Sequence, residues 1–552
     1  MSVWSRAGAG GLAGAAIGAA FNLTWENIKD WKSSGLDTAV DDLVRARKDA
    51  KGAGDYILAI DVSTGWSGAG AEAAQERRSE LESACEVLLA NIGDLLTATT
   101  AAQNGVGDVE LLVNEAISRV EYWGFNVSSS GEVTDPDPIG ATAGDKTLQQ
   151  MKVERASALG TAQESVTAAL TRAREVNSDY SAALNKIANG EVSEVEDLGD
   201  TPGVADTPPV GASTEEVAAW WNSLTEDEKD HQLDTHYREL GNLDGIDAKT
   251  RDAANQRALE EDNADLIAEI NRLESLTDRS HTNPEDMGSA DYDPHELAKL
   301  YERKRELDAI SKSLEKGDTQ LLLYEPATGE PGHEITHAAI SVGDVDTADH
   351  VTTVVPGMTT TVESMPGKVE EMERLKQHSE QAAGNGETTA AIMWLGYDAP
   401  GVDLSVASTD KAERGGDSLA SFEEGISDSR RLGAGDAHMS VLGHSYGSTT
   451  SSYGVAQVRP GVVDDYAVYG SPGTLPGYDM NVPEGHKYVL RNLNDPIGIV
   501  SGTLGHEPLF DPSFKRLDAN NNFFSKDEHS TYLNEDSTAL NSLSKVVAGT
   551  AG

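Results

Sequence analysis

The chain has 552 residues, and at roughly 100 to 200 residues per domain that length predicts three or four folded units. It carries 93 Asp plus Glu against 43 Lys plus Arg, a formal net charge of -50, which argues against nucleic acid or an anionic membrane as partner. Cys85 is the one cysteine, so an intramolecular disulfide framework and a multi-cysteine metal site are both excluded.

Residues 7–21 are apolar behind Arg6, but the stretch is Ala and Gly and shorter than the roughly 20 residues a bilayer span needs. No transmembrane span is expected, and residues 1–35 read as a disordered or loosely helical tail in preference to a signal peptide. Over 36–60, Val40, Leu43, Ala46, Ala50, Ala53, Ile57 and Ile60 recur at helical spacing, and Leu81, Cys85, Leu88, Ile92 and Leu95 do so again after the break at 63–68. Two helices joined by a turn that carries Trp66 and Gly68 resemble the WxG-type hairpins exported by type VII secretion. A plain helical bundle with a Trp packed at a turn is the competing reading.

Further helix is expected near 107–123, a turn-rich break at 128–138, and a helix through Val166, Leu170, Ala173, Val176, Tyr180, Leu184 and Ile187 that ends at Gly190. The span 36–190 therefore reads as an all-α domain. Between Ile187 and Glu216 there is no Lys or Arg, while Glu191, Glu194, Glu196, Asp197, Asp200 and Asp206 occur with Pro202, Pro208 and Pro209, so 191–213 reads as an interdomain linker. A second helical block, 214–318, opens with Trp220-Trp221 and the capping pattern Thr225-x-x-Glu228.

From Gln320 onward seven short apolar runs follow, at 321–324, 338–342, 351–355, 390–395, 439–442, 466–469 and 488–490. Helical stretches at 361–384, 415–431 and 446–458 alternate with the later runs. The pattern predicts a mostly parallel sheet covered by helices on both faces.

Gly443-His444-Ser445-Tyr446-Gly447 is a G-x-S-x-G sequence between an apolar run and a small-residue helix, the order that a nucleophile elbow requires. A serine hydroxyl needs a base and an anion that orients the base, and in this arrangement the acid and then the His follow the Ser in the chain. Asp495 stands just past the seventh run. His529, on the loop before the expected last helix (536–548), is favoured as base over His506. His444 points away from its neighbour Ser445 and is placed in the pocket. The oxyanion donors are expected from the N–H of Tyr446 and from Met358 or Thr359, in the loop after 351–355. Tyr397 and Asp398 end the next strand on the same edge and are expected to line the pocket.

These segments together resemble an actinobacterial α/β-hydrolase family catalogued as domain of unknown function 1023. The resemblance covers 220–532 and rests on Trp220-Trp221, Leu243-Asp244-Gly245-Ile246, Arg251-Asp252-x-x-Asn255, Val355-Pro356-Gly357, Trp394-x-Gly396-Tyr397-Asp398-Ala399-Pro400, Gly443 to Ser448, Gly470-Ser471-Pro472-Gly473, Asp495-Pro496 and His529-Ser530-x-Tyr532. It implies the α/β-hydrolase fold over 214–552, with Ser445, Asp495 and His529 as triad. It also implies that the block from 214 belongs with that domain, and WxG-like helices ahead of it are common in the family.

The chemistry expected is acyl-enzyme cleavage of an ester, thioester or amide, lipid esters included, with neither metal nor organic cofactor. Transfer of the acyl group to an acceptor other than water is the second reading, and a type VII secretion-linked interaction protein with a non-catalytic α/β scaffold is the third. Partners of that third kind would be the secretion machinery or a WxG-type helical protein. The Tyr-x-x-x-acid pattern of such substrates occurs at Tyr292 and Tyr532, neither of them just after the hairpin. A secreted or cell-surface location by a non-classical route is favoured slightly over the cytoplasm.

Overall fold

The computed structural model describes residues 23–60, 67–136, 138, 146–191, 211–282, 294–401, 408–499, 502–519 and 528–551. The chain divides into two compact units, Met1–Gln232 and Leu233–Gly552.

The first unit is helical. A single turn, α1 (Trp25–Ile28), precedes α2 (Asp37–Leu58), α3 (Ala69–Trp123), α4 (Lys146–Ala188) and α5 (Thr214–Ser223). Between α3 and α4 the predicted break contains a small antiparallel hairpin of β1 (Asn126–Val127) and β2 (Val133–Thr134). The segments expected as separate helices at 81–95 and 107–123 are one helix. The residues between them, 96–106, include no Pro, and a Cβ on their one Gly, Gly105, would lie 2.6 Å from the Val176 side chain of α4, so Gly105 serves close helix packing and does not break the helix; Thr99 and Thr100 turn their hydroxyls back to the carbonyls of Leu95 and Leu96. Val106, Val109, Val113, Ala116 and Val120 of α3 pack on Ala162, Val166, Ala169, Leu170, Ala173 and Val176 of α4, and Trp25 and Ile28 complete this core. Trp66 of the expected Trp-Gly turn lies outside the described residues, and Gly68 stands at the N-terminus of α3.

The division between units falls beyond α5, whereas the linker pattern suggested 213/214. Ala219 of α5 packs with Val40, Val44 and Leu96, and Arg47 donates to the carbonyl of Ser223 at 3.0 Å. Among the described residues no helix is long and apolar enough to cross a membrane.

Helix α6 (Glu226–Leu240) runs across the division, and α7 (Ala248–Thr282) and α8 (Pro294–Leu314) lead into the sheet. Its strands are β3 (Thr319–Glu325), β4 (His337–Val342), β5 (His350–Val355), β6 (Thr389–Leu395), β7 (His438–His444), β8 (Asp465–Tyr469), β9 (Lys487–Leu490) and β10 (Phe514–Leu517), in the spatial order β10-β9-β8-β7-β5-β6-β4-β3. Only β4 runs against its neighbours β3 and β6; every other pair is parallel. All seven apolar runs are strands. The eighth strand, Phe-Lys-Arg-Leu, escaped the sequence reading because only Phe514 is buried at this sheet edge.

Four further helices lie among or after the strands: α9 (Met365–Ala383), α10 (Asp410–Arg431), α11 (Tyr446–Gln457) and α12 (Thr538–Val547). Helix α9 buries Met365, Val369, Met372 and Leu375, at helical spacing, and α12 buries Ala539, Leu540, Leu543, Val546 and Val547. The chain steps from β5 outward to β6, then crosses back to β7 on the other side of β5. This reversal leaves a crevice at the C-terminal ends of β5 and β7, where Val355 and Gly443 are register partners.

Candidate active site

Ser445 occupies the turn between β7 and α11 with φ 54° and ψ -128°, a backbone conformation that side-chain-bearing residues seldom adopt. Two glycines permit the turn to close. A Cβ on Gly447 would lie 2.3 Å from the carbonyl oxygen of Val355 and 2.4 Å from that of Pro356; one on Gly357 would lie 2.6 Å from Ser445 Cβ. The elbow and the loop after β5 therefore interlock backbone to backbone. Small residues continue the fit along α11, where Ser448, Thr449, Thr450, Ser451 and Ser452 are fully buried.

His529 comes from a short 3-10 turn (Glu528–Ser530) ahead of α12, and its Nε2 is 2.9 Å from Ser445 Oγ. Its Nδ1 is 2.9 Å and 3.0 Å from the two carboxylate oxygens of Asp495, which follows β9. Asp495 also accepts from the Tyr532 hydroxyl at 2.7 Å and from the Ile497 N–H at 2.9 Å. Burial pushes the Asp495 carboxyl up, but the hydrogen bonds from His529 and Tyr532 outweigh it and hold the group below its ordinary value. Ser445 and Asp495 are buried, while the His529 side chain is 24% exposed, the most accessible of the three.

The other expected site residues fall into two groups. Tyr446 opens α11, where its N–H belongs to the first turn and has no carbonyl four residues back to bond. Met358 follows Gly357 in the same loop. The Thr359 N–H is bonded to the carbonyl of Pro400 at 2.8 Å, which leaves Met358 as the candidate second donor. Tyr397 is buried and its hydroxyl donates to the carbonyl of Pro356 at 2.7 Å, steadying the loop from behind. His444 stacks on Tyr469 and packs beside His529 with ring centroids 4.8 and 4.9 Å apart. Asp398 is turned elsewhere: it accepts from the N–H groups of Glu334 and Ile335 and sits 3.3 Å from His337. His506 is exposed and joins Thr474 through its backbone, apart from Asp495.

A family model described as alpha/beta hydrolase matches residues 331–505, a span that includes Ser445 and Asp495 and stops short of His529. The uncharacterized protein Mb0988c of Mycobacterium bovis is 32% identical over 213 residues, which is 37% of this chain and 77% of the relative. The chain belongs to the α/β-hydrolase family. A longer relative, the uncharacterized protein Rv2079 of Mycobacterium tuberculosis, is 29% identical over 386 residues, 62% of this chain; the match spans 56% of the relative's own length. No solved structure matches.

Within the α/β-hydrolase domain, Tyr532 is the residue whose role sequence reasoning missed. Its signal was the spacing His529-x-x-Tyr532, which returns a hydroxyl to the carboxylate that His529 bonds. The Asn492 N–H in turn donates to the Tyr532 oxygen at 3.0 Å, so the phenol is held from both sides.

Proposed function

We propose that the protein is a serine hydrolase that cleaves an ester, thioester or amide through an acyl-enzyme. What carries the reading is the continuous line from Ser445 Oγ through His529 to Asp495, with both contacts at 2.9 Å. His529 Nε2 takes the Ser445 proton as the hydroxyl attacks the acyl carbon, then delivers it to the departing alcohol, thiol or amine. Asp495, held below its ordinary pKa, keeps the imidazole in the tautomer with Nδ1–H and stabilises the imidazolium. The N–H groups of Tyr446 and Met358 receive the negative charge on the tetrahedral intermediate. Water activated by the same imidazole releases the acid and restores Ser445.

A fluorophosphonate probe tests this directly, because it is attacked only by an activated serine. Peptide mapping should find the adduct on Ser445, and Ser445→Ala should abolish labelling with the thermal melt almost unchanged. Labelling that persists at another serine removes the assignment.

A further inference from the structure

A second group of chemistry-bearing side chains stands at the β3–β4 hairpin. Glu325 ends β3 and is the register partner of His337, the first residue of β4, so the two share one face of the sheet. The connecting turn brings His333 back toward them. Glu325 Oε2 is 3.4 Å from His337 Nδ1 and 3.6 Å from His333 Nδ1, and a donor atom from each of the three residues lies within 4.8 Å of the others.

We propose that Glu325, His333 and His337 bind one divalent transition cation, with zinc the best match. Metal bonds of about 2.0–2.1 Å in a tetrahedron place neighbouring donors about 3.3–3.4 Å apart, close to the separations found here. Two imidazoles with one carboxylate suit zinc, whereas calcium and magnesium favour oxygen-only shells. Three protein ligands leave a fourth position for solvent, and the side chains of His333 and Glu325 are 46% and 34% exposed.

The second argument is the setting of His337, which is 3% exposed and has a carboxylate beside each ring nitrogen. Its Nε2 is 3.3 Å from Asp398 Oδ1, and its Nδ1 faces Glu325. The contact of Nε2 with Asp398 sets the ring so that Nδ1 is aimed at Glu325. A cation between Nδ1 and Glu325 would be ligated by both, with Asp398 holding the ring in orientation through Nε2. Asp398 is itself fixed by the N–H groups of Glu334 and Ile335. The cation would clasp the hairpin turn to the end of β6.

Chelator-treated full-length protein titrated with zinc chloride by calorimetry should show one strong site per chain, which magnesium does not fill, and zinc should raise the melting temperature. His333→Ala and Glu325→Gln change partly exposed side chains and should keep the far-UV circular dichroism of the wild type while weakening zinc binding at least about tenfold; Asp398→Asn should weaken it about 10–100-fold. Failure of the wild type to bind zinc overturns the proposal. Zinc affinity unchanged in folded His333→Ala overturns it equally, since the metal would then sit elsewhere.

Discussion

His444 donates from Nε2 to the main-chain oxygen of His529 at 2.8 Å, so the residue before Ser445 steadies the backbone of the histidine that bonds Ser445. The contact places the proton of the neutral ring on Nε2. Loss of water around His444, with His529 and Lys368 facing it, draws its pKa from 6.5 down to about 3. A folded-state pKa below the unfolded one means that this stability is present above pH 6.5 and is lost as pH falls toward 3. His444→Gln keeps an N–H donor and should hold kcat within about tenfold of wild type. It should also flatten the acid limb of the melting temperature between those two pH values. His444→Ala should lower kcat further with KM nearly unchanged.

The two histidines that follow Asp495 make a sharp comparison. His529→Ala removes the group between Ser445 and Asp495 and should slow hydrolysis of a small ester by about 10⁴-fold or more. His506→Ala alters an exposed side chain that faces Asp511, on a backbone paired with Thr474, and should leave the rate near wild type. The reverse ranking in steady-state assays would sink the assignment of the base.

The Ser445 elbow was legible because three levels agreed: an apolar run, the G-x-S-x-G turn and a helix of small residues. The order Ser, Asp, His then pointed to Asp495 and His529, which the fold brings from 34 residues apart to within hydrogen-bonding distance. Other features were hidden for physical reasons. Strand β10 shows no apolar alternation because it lies at an edge. Nothing in the sequence distinguishes the Met358 N–H from the Thr359 N–H; the Pro400 carbonyl that occupies the latter is some forty residues away and arrives only through folding. Asp398 looked like a pocket residue from its strand-end position, but His337 and two backbone N–H groups from the hairpin claim it. The cluster of Glu325, His333 and His337 went unread because strand register, not sequence spacing, aligns it.

Tyr532→Phe isolates the support of the acid. The change removes the 2.7 Å bond to Asp495 and leaves the Asn492 N–H without its phenol acceptor. A hydrogen bond to a charged group contributes about 1.5–3 kcal/mol, so kcat should fall roughly tenfold or somewhat more, with probe labelling slowed but still at Ser445. The missing bond should also let the Asp495 pKa rise, moving the acid limb of the rate profile upward. A variant with wild-type kcat and an unmoved profile would limit Tyr532 to packing.

Glu423 of α10 is 1% exposed, and neither carboxylate oxygen makes a well-formed hydrogen bond among the described residues. Burial pushes its pKa from 4.5 to about 8; the Thr353 hydroxyl opposes the rise and Asp244 adds to it. The folded pKa lies above the unfolded one, so the stabilising contribution is complete below pH 4.5 and is lost as pH rises through about 8. Glu423→Gln is isosteric and uncharged. Its melting temperature should match the wild type near pH 5 and exceed it near pH 9, and a parallel decline of both proteins would show that Glu423 ionises normally.

The last test concerns which helices the sheet needs. Strand β3 is the outer strand beside β4, and its free side is covered by side chains from the helical block. Leu321 N donates to Asp252 Oδ1 at 2.7 Å, Asn255 Nδ2 donates to Leu321 O at 3.1 Å, and Asn242 bonds both the N–H and the carbonyl of Tyr324 at 2.9 Å. These contacts close an edge that would otherwise pair with another chain. Leu307 and Ile310 of α8 and Leu259, Leu266 and Ile270 of α7 belong to the same apolar core as the sheet. A fragment 226–552 retains all of this and should be monomeric and keep the full-length rate on a small soluble ester. A fragment 214–552 adds α5, whose Trp221 and Ala219 are buried in the first unit, and should be active but less soluble because that face is bare. A fragment 319–552 lacks the edge cover and should aggregate or lose activity. Gel filtration and ester turnover of the three fragments decide the matter: an inactive 226–552 would make the first unit necessary to the chemistry, and a soluble, active 319–552 would show that the hydrogen-bonded edge is dispensable.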